Sequence, residues 1–177
     1  MALEIGIRLP IETRKRCAFI FRCQQDIGIT PLTILPQGAA FRPEGRSFLV
    51  TQPPAPESDP EVDYNDFNIN YEQFEQTIWP ILAGRIPAFE AIKLEQAYCC
   101  HYDVNSLDEN AIIGCLPSLD NYYIAAGFSG HGLQQSPAVG RALSELISFG
   151  EYRTLDLSRF GYQRILDNKA LREINCY

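Results

Sequence analysis

The sequence predicts an α+β fold with a mainly antiparallel sheet. Short apolar segments with strand-like alternation dominate the chain, and only two long segments have the spacing of an amphipathic helix. Their order is strands, one helix, more strands and a second helix. Strands and helices that are grouped in this way are typical of an α+β architecture.

Composition and charge narrow the class of protein. The chain has 177 residues, of which 46% are hydrophobic and 21% charged, so it can form one domain with a substantial core. Its net charge of −7 argues against a general nucleic-acid binder, which normally has a basic face. No apolar run approaches the roughly 18 residues that a transmembrane helix requires. Residues 1–17 lack the apolar core of a signal peptide and are a poor transit peptide, so no targeting signal is expected.

The cysteines predict reduced thiols in an intracellular compartment rather than a metal site. None of them forms a C-x-x-C pair, and the chain has only two histidines. We therefore predict no metal site. The cysteines are Cys17, Cys23, Cys99, Cys100, Cys115 and Cys176.

The first half of the chain contains the predicted sheet strands. Residues 17–23, CAFIFRC, form a short apolar strand. Residues 39–50, AAFRPEGRSFLV, are typical of a hairpin with a Pro-Glu-Gly turn. Residues 52–70 are rich in Pro, Asp, Glu and Asn, which predicts an exposed acidic loop that serves as a solvated connector.

Residues 71–85 have the spacing of a helix. Pro80 lies inside this segment and should kink or shorten the helix. One face is expected to pack into the core, and its residues are Tyr71, Phe74, Ile78, Ile81 and Leu82.

A long strand is predicted over residues 88–102. A loop then leads to a short strand at 111–114, and the region from Glu151 onward is expected to be a polar tail with a short helix around 158–166. Within the long strand, Lys93 and Glu95 lie on one face. The opposite face holds Ile92, Leu94, Gln96 and Tyr98.

A glycine-rich turn connects a predicted strand at 121–126 to a predicted helix at 136–148. Its glycines, Gly127, Gly130 and Gly132, permit positive φ angles and a close approach of a ligand to the backbone. The helix start adds unpaired N–H groups that favour electron-rich oxygens, such as a nucleotide phosphate or the ring carbonyls of a flavin. The alternative is a tight turn that only allows the strand and helix to pack together.

Ser136 is the predicted N-cap of this helix and Pro137 its first residue, although the helix could begin a few residues earlier. The turn has the spacing G-x-x-G-x-G, which differs from the dinucleotide fingerprint G-x-G-x-x-G. No acidic residue follows at the position where a ribose would need one.

The segment GFSGHGLQQSPAVGRALSELI, residues 127–147, resembles the C-terminal flavin-contact motif of the D-amino acid oxidase and sarcosine oxidase superfamily. It carries G-F-S-G-H-G followed by P-x-x-G-R-A. Residues 9–21 resemble a substrate-domain strand of that family, and residues 78–114 resemble its helix, long strand and Y-x-x-x-x-x-D-x-x-x-I-I-G region. The resemblance covers about residues 9–170 and implies an FAD-dependent oxidoreductase that oxidises a C–N bond of a small amine or amino acid.

The resemblance also implies a domain organisation. Residues 1–115 would be part of the substrate domain, 116–150 the last strand, turn and helix of the FAD-binding domain, and 151–177 a tail. The sequence contains no G-x-G-x-x-G motif, so the N-terminal Rossmann half of the fold is expected to be absent. We therefore expect the chain alone to hold FAD weakly or not at all.

In the family, the glycine-rich turn surrounds the edge of the flavin ring and offers backbone N–H groups to a ring carbonyl. Catalytic candidates by the same resemblance are Tyr102 and His131, which could equally be a core aromatic and an ordinary turn histidine. The implied cofactor-binding residues are Gly127, Phe128, Ser129, Gly130, His131, Gly132, Leu133 and Gln134.

Further positions bear on activity. Gln134 stands where sarcosine oxidases place a lysine that promotes the reaction of reduced flavin with oxygen, which favours a dehydrogenase or a non-catalytic role. Cys100 lies near the position at which monomeric sarcosine oxidases attach flavin covalently, but a packed thiol is the favoured interpretation. Tyr98 and His101 share its strand. For a substrate carboxylate, the arginines considered are Arg42 and Arg46.

The likeness is greatest to a mitochondrial member of the family that is linked to assembly of respiratory complex I. It implies a mitochondrial location and partners among complex I assembly intermediates. Two alternatives to a catalytic flavoprotein follow, namely an assembly or scaffold protein without catalysis and an inactive truncated product.

Overall fold

The computed structural model of the chain describes residues 3–172. The described residues divide into two compact units, one formed by residues 14–101 and the other by residues 3–13 together with 102–172. The strands are β1 (Ile11–Cys23), β2 (Thr33–Ile34), β3 (Ala40–Glu44), β4 (Ser47–Thr51), β5 (Ile92–Asn105), β6 (Ile112–Leu116) and β7 (Leu119–Ala126). The α-helices are α1 (Tyr71–Gln73), α2 (Trp79–Arg85), α3 (Gly132–Phe149) and α4 (Gln163–Leu166).

Five strands form one sheet in the order β2-β3-β4-β1-β5, and the pairs β2–β3, β3–β4 and β1–β4 are antiparallel. The predicted hairpin is confirmed as β3 and β4, with Glu44 opposite Ser47. Gly45 has φ +62°, so the tight turn requires the left-handed conformation that glycine adopts without strain. A second antiparallel pair, β6–β7, completes the strands of a mixed α/β architecture.

The core of the unit at residues 14–101 is built from phenylalanines. Phe19 and Phe21 are two positions apart in β1, so their side chains lie on the same face of the strand, and both are fully buried. This agrees with the predicted strand at 17–23. The ring of Phe89 meets those of Phe21 and Phe41 edge-on, with centroids 5.1 and 5.6 Å apart. Edge-to-face pairs at this separation add to the stability that burial of the rings provides.

The predicted helix at 71–85 is confirmed, and its middle is wound more loosely than an ordinary α-helix. A π-helical turn, Phe74–Ile78, lies between α1 and α2, and the N–H of Trp79 bonds to the carbonyl of Phe74. Pro80 is the second residue of α2 and lies in its first turn, where its missing N–H costs little. The predicted core face was wrong only at Tyr71, which is 51% exposed.

The face assignment within β5 is corrected at Gln96 and Tyr98, which are exposed. Ile92 and Leu94 pack on the core as expected, but the next residues that do so are Ala97 and Cys99. Two consecutive exposed residues, at 95 and 96, shift the alternation by one position, so residues 97–100 change face.

The acidic loop is anchored rather than simply solvated. Asp59 forms a paired contact with the guanidinium of Arg16, at 2.7 and 2.8 Å. Asp66 accepts a bond of 2.5 Å from Lys15 Nζ. The basic residues of β1 therefore hold the loop at two points within the same unit.

In the other unit, β6 and α3 share a small core with residues that follow the helix. Leu157 is buried in it, and Arg164 is 7% exposed, so the region after Glu151 is not the polar tail that the sequence suggested. The short helical segment expected around 158–166 is present as a 3-10 turn, Ser158–Phe160, followed by α4. Cys176 and the end of the predicted tail lie outside the described residues.

Three further findings concern the described part of the chain. None of its helices has the length and apolar character to cross a membrane. Within residues 3–172, no three His, Cys, Asp or Glu side chains converge as a metal site would require. The described cysteines are free thiols, namely Cys17, Cys23, Cys99, Cys100 and Cys115.

Candidate functional site

The glycine-rich turn occupies residues 127–131, between the end of β7 and the start of α3. Three of its residues have positive φ angles: Gly127 at +71°, Ser129 at +48° and Gly130 at +90°. Glycine adopts this region freely, whereas the serine does so at a cost in conformational energy. The backbone of the turn is thus held in a conformation that local preferences alone would not select.

The helix begins earlier than predicted, which corrects the roles of two residues. Helix α3 starts at Gly132 with His131 at the N-cap position, so Ser136 is not the N-cap and Pro137 is not the first helical residue. Pro137 has no N–H to donate to the carbonyl of Leu133. The hydroxyl of Ser136 donates to that carbonyl instead, at 2.9 Å, which explains how the helix continues through the proline.

Strand β5 holds the turn through Asp103. One carboxylate oxygen, Oδ2, accepts hydrogen bonds from the N–H groups of Gly127 at 2.7 Å and Phe128 at 3.3 Å. The backbone carbonyl of Asp103 accepts the N–H of Ser129 at 3.2 Å. Three successive N–H groups of the turn are therefore directed at one residue and are not available to a ligand.

The remaining N–H groups define where an external acceptor could bind. That of His131 donates to the carbonyl of Phe128 at 2.9 Å. Within residues 3–172, no acceptor meets the N–H groups of Gly130, Gly132, Leu133 and Gln134. The last three belong to the first turn of the helix, which carries the positive end of the helix dipole.

Tyr102 lies against the turn at Gly130. A Cβ atom on that glycine would be 3.0 Å from Cε2 of the tyrosine ring, which is tighter than about nine in ten real Cβ contacts. The structure therefore brings one catalytic candidate, Tyr102, to the predicted cofactor turn. It also explains why glycine is favoured at this position, since both the φ angle and the ring disfavour a side chain.

The other catalytic candidate, His131, is half-buried at the N-cap and makes no side-chain capping bond. Gly127 and Ser129 are buried, and Phe128 and Gly132 are half-buried. Gly130, Leu133 and Gln134 are exposed, and Leu133 has 87% of its surface accessible. The turn thus has a buried inner side and an open outer side. Three of the four unpaired N–H groups belong to exposed residues, and the fourth belongs to the half-buried Gly132.

The remaining sequence candidates lie in the unit at residues 14–101. His101 is engaged there, since its Nε2 lies 2.8 Å from the carbonyl of Asp66 and its ring is 4.6 Å from that of Phe67. Tyr98 is 43% exposed, and Cys100 is exposed. The considered arginines lie at the β3–β4 hairpin, where Arg42 pairs with Glu44 and Arg46 occupies the turn.

Sequence reasoning missed the polar residues that support the turn from inside. Asn105 is fully buried at the end of β5, and Asp108 follows it in the next turn with 3% of its surface exposed. The main-chain N–H of Asn105 donates to Ser129 Oγ at 3.0 Å. Asn105 lies in the Asx-rich stretch DVNSLDEN, which is typical of a turn. Asp108 is the aspartate of the Y-x-x-x-x-x-D-x-x-x-I-I-G region, but neither pattern indicated a role in supporting the turn.

Comparison with known proteins places this geometry in context. A model of the DAO family, described as FAD dependent oxidoreductase, matches residues 2–146. FAD-dependent oxidoreductase domain-containing protein 1 of Xenopus laevis is 40% identical over 173 residues, which make up 96% of this chain and 34% of the relative. Monomeric sarcosine oxidase of Bacillus sp. (strain B-0618) is 35% identical over 115 residues, which make up 65% of this chain and 28% of the relative.

Among solved structures, that of L-proline dehydrogenase from P. horikoshii is similar with a TM-score of 0.81 and 27% identity. The likeness covers 96% of this chain and 45% of the dehydrogenase. The chain spans about a third of the length of the Xenopus laevis relative, as the 34% coverage shows.

Proposed function

This chain belongs to the DAO family of FAD-dependent oxidoreductases, and we propose that its glycine-rich turn binds the edge of the flavin ring in an enzyme that oxidises a C–N bond of a small amine or amino acid. One observation carries the proposal. Four N–H groups, those of Gly130, Gly132, Leu133 and Gln134, have no acceptor within residues 3–172 and lie where β7 leads into α3.

The residues of the turn fit the flavin. At Gly130 a Cβ would crowd the ring of Tyr102, and the glycine presents backbone rather than a side chain at this point. N–H groups at a helix start are suited to a carbonyl oxygen that gains negative charge, as the pyrimidine carbonyls of a flavin do on reduction. Bound FAD would supply the two-electron acceptor, and the turn would bind it, orient it and stabilise that charge.

The substrate class rests on the relatives. The similar proteins reported above are named sarcosine oxidase and L-proline dehydrogenase, and both names refer to small amino acids with a secondary amine. A substrate of that kind fits the proposal for this chain. Tyr102 lies at the turn and is proposed to line the substrate side, with His131 as the second catalytic candidate.

Gln134 favours a particular kind of flavoprotein. It is exposed in the first turn of α3, where the resembling sarcosine oxidases carry a lysine that promotes reaction with oxygen. A glutamine has no positive charge to stabilise reduced oxygen species. We therefore propose dehydrogenase behaviour, with an electron acceptor other than oxygen.

A second function follows from the resemblance of the sequence to a mitochondrial family member that is linked to assembly of respiratory complex I, and Gln134 is compatible with it because it lacks the charge that promotes reaction with oxygen. In this alternative the protein is a mitochondrial assembly factor of respiratory complex I, and catalysis is secondary or lost. The two functions differ in substrate-driven bleaching of bound FAD under anaerobic conditions. Bleaching by sarcosine or L-proline supports the enzyme, whereas a flavin that no small amine reduces supports the assembly role.

The binding proposal is tested by amide chemical shifts of the isotope-labelled chain during titration with FAD, riboflavin and ADP. We expect FAD and riboflavin to shift the amides of Gly130, Gly132, Leu133 and Gln134, and ADP to leave them unchanged. Because FAD is expected to bind weakly, the protein should be colourless after desalting. A response to ADP but not to riboflavin would overturn the flavin proposal in favour of a phosphate site.

A further inference from the structure

A buried ion pair joins the region after α3 to the turn that follows β5. The side chain of Asp108 is 0% exposed and that of Arg164 7%. Nε of the guanidinium donates to Oδ2 of the carboxylate at 2.9 Å, and Nη2 donates to Oδ1 at 3.1 Å. This two-pronged geometry fixes the orientation of both groups.

Both partners of the ion pair have further hydrogen bonds. Asp108 accepts the N–H of Leu171 at 2.9 Å and Nδ2 of Asn105, also at 2.9 Å. Arg164 donates to the carbonyls of Phe160 at 2.7 Å and Ala111 at 3.1 Å. A buried charge pair with this degree of compensation is tolerated, but removal of one partner leaves the other charged and unpaired.

Asn105 connects the pair to the glycine-rich turn. Its side chain bonds to Asp108, and its main-chain N–H donates to Ser129 Oγ at 3.0 Å. Ser129 is 2% exposed and has a φ angle of +48°. A non-glycine residue stays in this conformation only where its surroundings hold it there, and this hydrogen bond is part of that constraint.

We propose that Arg164 is a positioning residue for the flavin-binding turn, and that it acts through Asp108 and Asn105 on Ser129. This inference rests on the proposed function, because it takes the turn to be a flavin site. Among the hydrogen bonds of residues 3–172, those of Arg164 go to Asp108 and to backbone carbonyls outside the turn, so its effect on the turn is indirect. The family model matches residues 2–146, so Arg164 belongs to a part of the chain beyond that match.

The consequence concerns the unpaired N–H groups. Gly130 follows Ser129 directly, so the conformation of the serine sets the direction of the backbone that enters α3. If the network is weakened, the turn should sample other conformations, and the N–H groups should lose their common orientation. The C-terminal segment would then tune cofactor affinity from a distance.

Hydrogen exchange of the full 177-residue chain without flavin tests this inference. Arg164→Met leaves Asp108 unpaired, and we expect exchange of the peptide that covers residues 127–134 to rise about tenfold. Arg164→Lys keeps the charge but not the two-pronged contact, so a smaller rise is expected. It also provides a foldable variant if Arg164→Met does not fold.

Rescue separates positioning from general destabilisation. In Asp108→Asn/Arg164→Met the pair is neutral and the amide oxygen can still accept from Asn105, so protection of residues 127–134 should be largely restored relative to Arg164→Met. Thr154→Val is the matched control, because it removes a 2.7 Å bond to Glu145 from the same C-terminal segment without touching this network. Its exchange should rise near residue 154 and not in the turn.

Two results would overturn the inference. One is faster exchange at residues 158–171 with unchanged exchange at residues 127–134. In that case the ion pair would stabilise the C-terminal segment alone. The other is an equal rise of the exchange rate in all peptides of Arg164→Met, which would indicate general destabilisation. Exchange requires no flavin, so a failure of riboflavin to bind the native chain would refute the proposed function and leave this result standing. If riboflavin binds, Arg164→Lys should weaken its affinity several-fold, and Thr154→Val should not.

Discussion

Oδ2 of Asp103 lies 2.7 Å from the backbone nitrogen of Gly127 and accepts its hydrogen bond. The same oxygen accepts the N–H of Phe128 at 3.3 Å, so a single carboxylate holds the entrance of the glycine-rich turn. The turn therefore uses part of its own donor capacity to fix its shape. What remains for a ligand is the part that begins at Gly130.

Replacement of Asp103 tests this role. Asp103→Ala leaves the N–H groups of Gly127 and Phe128 without their acceptor, and we expect a loss of about 1–2 kcal/mol in the free energy of unfolding. Asp103→Asn keeps one acceptor oxygen without the charge and should lose less. Urea denaturation of both variants provides the measurement. Equal stability of Asp103→Ala and the native chain would show that the contact contributes nothing.

Gly130→Ala should lower the free energy of unfolding for two reasons whose effects add. The φ angle of +90° is unfavourable for any residue with a Cβ, and that Cβ would be 3.0 Å from the ring of Tyr102. We expect a loss of about 2 kcal/mol, together with changed amide shifts for Leu133 and Gln134. Thermal unfolding and an amide spectrum of the variant measure both effects.

Gly140→Ala is the matched control. Gly140 lies within α3, has no unusual φ angle, and an added Cβ would meet nothing within 4 Å. The same substitution should therefore stabilise the protein by about 0.5–1 kcal/mol, because alanine is the better helix former. If both variants lose stability equally, the turn conformation is not the cause.

The sequence predicted those features that depend on local patterns. Alternation placed Phe19 and Phe21 in the core, and helical spacing together with Pro80 described the segment at 71–85. The glycine spacing correctly located a tight turn between a strand and a helix, now β7 and α3. These signals arise from residues that are close together in the chain, so a single sequence contains them.

Features that depend on tertiary contacts were not predictable in this way. Asp108 and Arg164 are 56 positions apart, and nothing in either local pattern indicates the other. The face of Tyr98 was wrong because a one-residue shift within β5 is decided by packing along the whole strand. Asp103 accepts the N–H groups of three of the eight residues that the motif suggested as cofactor ligands, so these groups cannot bind a ligand. The sequence did not indicate this, because Asp103 and the turn are 24 or more positions apart in the chain.

Cys100 is expected to carry no covalent flavin. The residue is exposed as a whole, but its thiol is partly desolvated, and this desolvation, followed by the nearby Cys17, raises the pKa of the Cys100 thiol. Since the thiolate is the reactive form, a raised pKa lowers reactivity near neutral pH. The intact mass after incubation with FAD should equal that of the chain. An adduct that disappears in Cys100→Ser would contradict this prediction.

Glu145 should make the stability of the protein depend on pH in the acid range. Its carboxylate accepts the hydroxyl of Thr154 at 2.7 Å and the N–H groups of Arg153 and Thr154 at 2.9 and 3.0 Å. These hydrogen bonds lower the pKa of Glu145 from 4.5 to about 2. Between these values the unfolded chain binds more protons at this residue than the folded chain does, so the free energy of unfolding falls as the pH falls.

The stabilisation by Glu145 should thus be complete above pH 4.5 and disappear as the pH approaches 2. Glu145→Gln removes the charge and presents an amide N–H₂ to donors, so the variant should melt at a lower temperature than the native chain at pH 6. Because the native chain loses its advantage in acid, the two melting curves should converge on approach to pH 2. Arg141→Gln is the control, since Arg141 makes a longer contact of 3.2 Å with Glu145 and its side chain is 67% exposed. Arg141→Gln should shift the melting temperature little at any pH. A melting-temperature difference between Glu145→Gln and the native chain that stays constant from pH 6 to pH 2 would refute the lowered pKa of Glu145.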